Sequence, residues 1–406
     1  MVKMYHLLFL LLLPFIFSPR FTGCATSLGV DINVGNGVPG VGVWIGGGEE
    51  TAVAPSSTVN SAYDALQAWK NAITSDPNRF LNSWVGNDVC SYKGVYCGGA
   101  VDDGNGPIVV GIDLNRANLE GTLVPELSFF TDLDLLHLNS NRFSGTIPES
   151  FSNLVSLREL DLSNNFLSGS FPTVVLDIPY LMYLDLRFNS FSGPIPGDLF
   201  NNKLDAIFLN NNNFEGNVPQ TIGNSQASVI NLANNNLSGN LPVTFGLTNL
   251  KLKEILLLNN QLTGCIPQQI GFFSGVEVLD VSFNSITGQV PDAISCLNQL
   301  EVLNLEHNLL SGEIPDVVCS IKSLLNFTIA FNFFSKFSQH CENLFFRNSG
   351  FDVSDNCIPG RELQRPNPEC SIMPTGGLSC LRIPLVQPLV CATLFNRIDS
   401  NVTFSP

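Results

Sequence analysis

Leu160-Asp161-Leu162-Ser163-Asn164-Asn165-Phe166-Leu167-Ser168-Gly169-Ser170-Phe171-Pro172 decides the fold, because its frame returns at Leu303-Asn304-Leu305-Glu306-His307-Asn308-Leu309-Leu310-Ser311-Gly312-Glu313-Ile314-Pro315. Apolar residues hold the first, third and eighth places, Asn the sixth, Gly the tenth and Pro the thirteenth. Working outward, the third-place anchor recurs as Leu114, Leu138, Leu162, Leu186, Leu209, Leu232, Leu257, Val281, Leu305, Ile329 and Val353, at steps of 24, 24, 24, 23, 23, 25, 24, 24, 24 and 24. Three residues after the anchor stands Asn in ten of the eleven units, Ala117 being the exception. A fixed period of this length means one structural coil stacked on the next.

The spacing has a physical reading. Alternation at apolar-x-apolar makes a short strand whose outer residues point inwards, and each strand pairs in parallel with the next coil's strand. The Asn turns inwards, where its amide satisfies backbone groups left open at the bend. Gly permits tight packing, and Pro stiffens the far side. The expected fold class is α/β, a curved right-handed solenoid of about eleven repeats with a parallel β-sheet on its concave face. The repeat domain spans 109–360.

The ends set the compartment. Residues 1–26 open with Lys3, run apolar through Leu7–Phe17 and reach Gly23 and Ala25, the form of a secretory signal peptide. Its removal takes away Lys3, Arg20 and Cys24, leaving ten of the 11 cysteines and moving the net charge from −16 to −18. An even count suits full pairing outside the cell. Residues 27–58 are a Gly-rich linker; Gly35-Asn36-Gly37-Val38-Pro39-Gly40 formally matches a dinucleotide fingerprint but has Pro39 inside it and no strand–helix frame. Leu381–Phe395 is interrupted by Arg382, Pro384 and Pro388, so neither a membrane span nor a lipid-anchor tail is expected. Asn236, Asn326 and Asn401 each open an Asn-x-Ser/Thr acceptor triplet.

Two flanks narrow the reading. Ala62–Ile73 reads as an amphipathic helix stopped by Asp76-Pro77, followed by Trp84 and Cys90-Ser91-Tyr92-Lys93-Gly94-Val95-Tyr96-Cys97, within an amino-terminal cap over 59–108. After the repeats come Asn356-Cys357-Ile358-Pro359-Gly360-Arg361 and Gln364-Arg365-Pro366-Asn367-Pro368-Glu369-Cys370, opening a cysteine-containing tail over 361–406. The repeat unit resembles the plant-type extracellular leucine-rich repeat. With its flanks, the chain resembles the leucine-rich-repeat extensin-like proteins of plant cell walls. Two departures stand out: Tyr92 occupies a place where many relatives have Trp, and no Ser-Pro-Pro-Pro repeats precede Pro406.

The resemblance implies a Cys90–Cys97 bond in the cap. Cys265 and Cys296 lie in adjacent repeats where they can bridge the rim, as can Cys319 and Cys341. Cys357, Cys370, Cys380 and Cys391 allow three connectivities, with a bond to a second copy in a homodimer left open. Family likeness further implies a secreted, wall-space protein that binds basic, cysteine-rich signalling peptides. An alternative from another class is an inhibitor of a pectin-degrading enzyme resembling polygalacturonase-inhibiting proteins; a third is a structural wall glycoprotein.

Catalysis is not expected. The four histidines form no metal or nucleophile motif, and carboxylates on an open sheet lack the enclosing pocket that tunes acid/base chemistry. No cofactor or metal is called for. The net −16 offers nothing to phosphate backbones, so nucleic acid is excluded as a partner, and cationic partners are favoured.

The expected working surface is the concave face, roughly 50 Å long for eleven strands at about 4.8 Å. Its positions carry Glu159, Asp161, Asp185, Glu254, Asp280 and Glu306, with Tyr183, Phe188, Phe208, Phe283 and His307 among them. Acids beside exposed rings suit a cationic peptide, although Leu-Asp-Leu is also an ordinary filling of this repeat and the rings can pack on their neighbours.

Overall fold

Each apolar-x-apolar triplet forms a strand in the computed structural model, which describes residues 59–99, 107–245, 251–346 and 350–371. The expected signal peptide, the linker, Cys380, Cys391 and Asn401 lie outside the described residues. Eleven strands, from Ile108–Asp113 through Glu159–Asp161 to Gly350–Asp352, pair in parallel, and Val95–Gly98 of the cap joins antiparallel to complete a twelve-stranded sheet. We number the coils one to eleven by their anchors, Leu114 to Val353.

A second sheet of eight strands forms where each coil turns away, running from Glu120–Thr122 to Gln261–Thr263 with Ile73–Ser75 antiparallel at its start. A three-stranded sheet continues it over Thr287–Phe337. On the far side the chain makes single 3-10 turns such as Glu149–Asn153 and Gln268–Phe272, whose N-cap positions are Pro148 and Pro267. Proline's fixed φ suits that start, and its missing N–H is not needed there.

Leu160, Leu162, Leu167, Phe151 and Leu157 of neighbouring turns are all fully buried. At roughly 1.5–3 kcal/mol per buried large aliphatic side chain, these inward rows supply the main driving force. Asn165 shows what the ladder does: Nδ2 donates to Leu138 O at 2.9 Å and Leu162 O at 3.1 Å, while Oδ1 accepts from Phe143 N at 2.9 Å. Each Asn thus joins its own coil to the preceding one. At Ala117, which breaks the series, the cap makes a different contact, with Asn78 Nδ2 donating to Ala117 O at 3.2 Å.

The glycines serve backbone conformation more than packing. Gly169 has φ 102°, a region open only to glycine at low cost, whereas Gly121 is held by contact: a Cβ there would lie 2.4 Å from Ala72 O. The cap helix, α1 (Val59–Ala72), ends one residue before the expected Ile73, which instead starts the antiparallel strand paired with Gly121. Asp76 does not merely stop the helix; its carboxylate accepts from Phe80 N at 2.8 Å and Leu81 N at 2.9 Å.

Trp69, Trp84 and Tyr92 fill the space between α1 and coil one, with Trp84 stacked on Tyr92 at 5.6 Å and Tyr92 Oη donating to Gly86 O at 2.6 Å. Cys90–Cys97 closes the cap with Cα atoms 5.7 Å apart. Cys319–Cys341 ties the decaying end of the pattern, and Cys357 pairs with Cys370. Cys265 and Cys296 are also disulfide-bonded. Beyond coil eleven the chain folds back, Asp355 N donating to Leu363 O and Arg365 N to Asn356 O, both at 2.7 Å. No helix among the described residues is long and apolar enough to cross a membrane.

Candidate functional site

Parallel register lines the expected surface residues up in columns on the outer face of the twelve-stranded sheet. Glu159 and Tyr183 are opposed, as are Asp161 and Asp185, then Tyr183 and Ala206, Asp185 and Phe208. Further along, Val229, Glu254, Val278 and Val302 continue the first column, and Asn231, Leu256, Asp280 and Asn304 the second.

The acids near the amino-terminal end are already engaged. Glu159 Oε2 accepts from His137 Nε2 at 3.0 Å. Burial alone would lower the imidazole pKa, but the hydrogen bond to Glu159 and the charges of Asp161, Glu159 and Asp113 outweigh it and raise His137 above its ordinary range. Asp161 Oδ1 accepts from Ser163 N at 3.0 Å and Ser163 Oγ at 2.5 Å.

Asp185 is fully buried and supports the surface rather than presenting an open contact. Arg187 Nε lies 2.9 Å from Oδ2, Tyr183 Oη donates to it at 3.2 Å, and Arg187 N donates to Oδ1 at 3.0 Å. Burial, with Asp161 opposite, pushes this carboxyl up to about 7 despite Arg187. Tyr183 packs on Phe208 at 5.6 Å between ring centres, and the Arg187 guanidinium covers the same ring at 5.2 Å. Both expected anchors therefore belong to a local packed cluster. Burial also pushes the Tyr183 hydroxyl upwards.

Asp280 is likewise buried, held by Ser282 N at 2.9 Å, Ser282 Oγ at 2.6 Å and Asn304 Nδ2 at 3.2 Å. Glu254 is half-buried, and burial followed by the Glu277 charge raises its pKa. Glu306 is half-buried in coil nine, where its N–H donates to Asn304 Oδ1 at 3.2 Å.

Along these columns, interrupted by Glu254, runs an apolar seam that sequence reading largely missed. Ala206, Val229, Leu256, Leu258, Val278 and Val302 are all half-buried on this face. Leu256 and Leu258 stand directly before and after the anchor Leu257; the rest join them only through strand register. Reading every coil at three residues before its anchor would have found Val229, Val278 and Val302.

Phe188, Phe283 and His307 occupy the place two after the anchor, beyond the strand end, with φ of 53°, 52° and 51°. Bulky residues are rare in this left-handed region, so their rings need compensating contacts. His307 has them, stacked between Phe283 at 4.2 Å and Phe331 at 4.0 Å. Burial lowers its pKa; Asp355 opposes this, and Arg365 adds to it. Phe188 has no such stack and is 39% exposed, leaving it the most open of the expected rings. Among the described residues, no group of three or more His, Cys, Asp or Glu side chains is placed to hold a metal ion.

Models of the leucine-rich repeat match residues 131–191 and 250–310, and one of the leucine-rich-repeat N-terminal domain matches 59–98. The chain is 72% identical over 150 residues to pollen-specific leucine-rich repeat extensin-like protein 2 of Arabidopsis thaliana, covering 37% of this chain and 18% of that one. It is 66% identical over 223 residues to leucine-rich repeat extensin-like protein 7 of the same plant, covering 55% and 52%. The chain thus spans about a fifth to about a half of the length of these curated relatives. Among solved structures, the Arabidopsis receptor kinase HAESA in complex with the peptide hormone IDA and the co-receptor SERK1 is similar at 28% identity and a TM-score of 0.64, over 73% of this chain and 50% of that chain.

Proposed function

Because the chain is a leucine-rich-repeat protein related to the leucine-rich-repeat extensin-like proteins, we propose that the outer face of its twelve-stranded sheet captures a secreted peptide. The ligand is basic and cysteine-rich, and its capture in the wall space serves growth control. The observation carrying this reading is the apolar seam, interrupted by Glu254 and flanked by Glu159, Asp161 and Glu306. Apolar side chains that stay half-open on an otherwise satisfied sheet offer anchoring area, while the acids within and beside the seam attract and orient a cation. Asp185 and Asp280 hold that face in shape from beneath. The peptide hormone bound to the structurally similar HAESA supports peptide as the ligand class.

Titration calorimetry of the secreted protein with a synthetic cationic, cysteine-rich peptide tests the proposal. Binding should be tight at low ionic strength, weaken with added salt, and fall at least tenfold when Glu159, Glu254 and Glu306 are replaced together by Lys in a variant that stays folded at the assay temperature. Unchanged affinity in that variant would sink the acidic-face mechanism. Absence of peptide binding together with inhibition of a pectin-degrading enzyme would replace the reading with that of an enzyme inhibitor.

A further inference from the structure

We infer that Asn326 carries an N-linked glycan and that this glycan covers the carboxy-terminal end of the sheet face, confining any ligand to the earlier coils. The acceptor triplet Asn326-Phe327-Thr328 is itself the strand of coil ten. Strand alternation buries Phe327 completely and turns Asn326 outward, on the same face as the apolar seam and opposite Val302 of coil nine.

The local geometry suits attachment. Asn326 is exposed, and its Oδ1 accepts from Thr328 Oγ1 at 3.2 Å, which holds the carbonyl end of the amide. On the coil-eleven side stands Gly350, where a Cβ would lie 3.0 Å from Asn326 Oδ1 and 3.6 Å from Nδ2; the absence of a side chain keeps the amide clear on that side. Leu325, the residue before, is 62% exposed. A large apolar side chain left this open next to an acceptor is surface that a bulky, hydrated sugar covers.

The bond forms between Asn326 Nδ2 and the anomeric carbon of a sugar carried on a lipid pyrophosphate. The sugar–pyrophosphate bond breaks, the pyrophosphate leaves with the electron pair, and one amide proton passes to a base. This requires the secretory route of the preceding proposal but not peptide capture. Asn236 serves as a control: it too is an exposed acceptor, but it opens strand Asn236–Asn240 of the eight-stranded sheet, away from the seam.

The test uses the full chain secreted from plant cells. Amidase release of glycans in heavy-oxygen water, followed by peptide mass analysis, should convert Asn326 to labelled Asp in most molecules. Asn326→Gln and Thr328→Val should each abolish that signal, and Asn236→Gln should leave it intact. Carbene footprinting of the folded protein, before and after enzymatic removal of the sugar, should show labelling of Leu325 rising several-fold while Phe166, on the eight-stranded sheet, stays constant. An unmodified Asn326 would overturn the site, and equal labelling of Leu325 in both states would overturn the coverage.

Discussion

Asp185 and Arg187 form an ion pair at 2.9 Å within one coil, with the carboxylate fully buried and the guanidinium laid over Phe208. A paired carboxylate is ordinarily easier to ionise. Here burial and the facing Asp161 prevail, so the pair sits near its point of protonation at neutral pH.

Stability should therefore fall as pH rises. The unfolded chain releases the Asp185 proton at about 3.9, while the folded protein holds it up to about 7, so between these values the folded state binds the extra proton. The contribution is fully present below pH 4 and lost through 7, at most on the order of 4 kcal/mol. His137 acts in the same sense, since its raised pKa favours the charged form in the fold and its stabilisation is lost as pH climbs through that value. Denaturant midpoints measured from pH 4 to 8 should decline, and Asp185→Asn should flatten the curve. An unaltered slope in that variant would remove Asp185 as the source.

Asn332→Ala should cost about 3 kcal/mol. The side chain is fully buried, donates to Leu305 O at 2.9 Å and Ile329 O at 3.2 Å, and accepts from Leu310 N at 2.9 Å. Its loss strands several buried backbone groups. Urea unfolding should show a lower midpoint, and a loss below about 1 kcal/mol would mean that water replaces the amide.

Two glycine substitutions should differ in kind. Gly169→Ala meets only Thr146 Cγ2 at 3.2 Å and suffers mainly from its φ of 102°, a penalty of about 1–2 kcal/mol. Gly121→Ala drives a methyl into Ala72 O at 2.4 Å and Ile73 Cα at 2.9 Å, so it should loosen the cap. Proteolysis should then cut α1 before the coils, and equal protease resistance in the two variants would refute the contact argument.

Leu256→Asn should weaken peptide binding about tenfold, the effect of losing roughly 1.4 kcal/mol of apolar contact, with little change in melting temperature because the side chain is half-exposed. Affinity within twofold of the parent would show that the seam is not the contact.

The repeat period by itself determined the coils, the inward Leu rows, the Asn ladder and the sheet, because each follows from local alternation and spacing that any stacked neighbour must satisfy. The cap was legible for the same reason, from one helical stripe and a close cysteine pair. Surface chemistry was legible only in part. Asp185 and Asp280 look like Glu159 and Glu254 when read as letters, yet the first two lie buried under Arg187 and Asn304. Burial depends on which side chain closes over a carboxylate: Arg187, two residues along the same coil, for Asp185, and Asn304 of the next coil, 24 residues away in the chain, for Asp280. The same holds for Val229, Val278 and Val302, three separate valines in sequence that strand register turns into one seam. Sequence determined the scaffold; tertiary structure decided which acids support the face and which apolar side chains remain open on it.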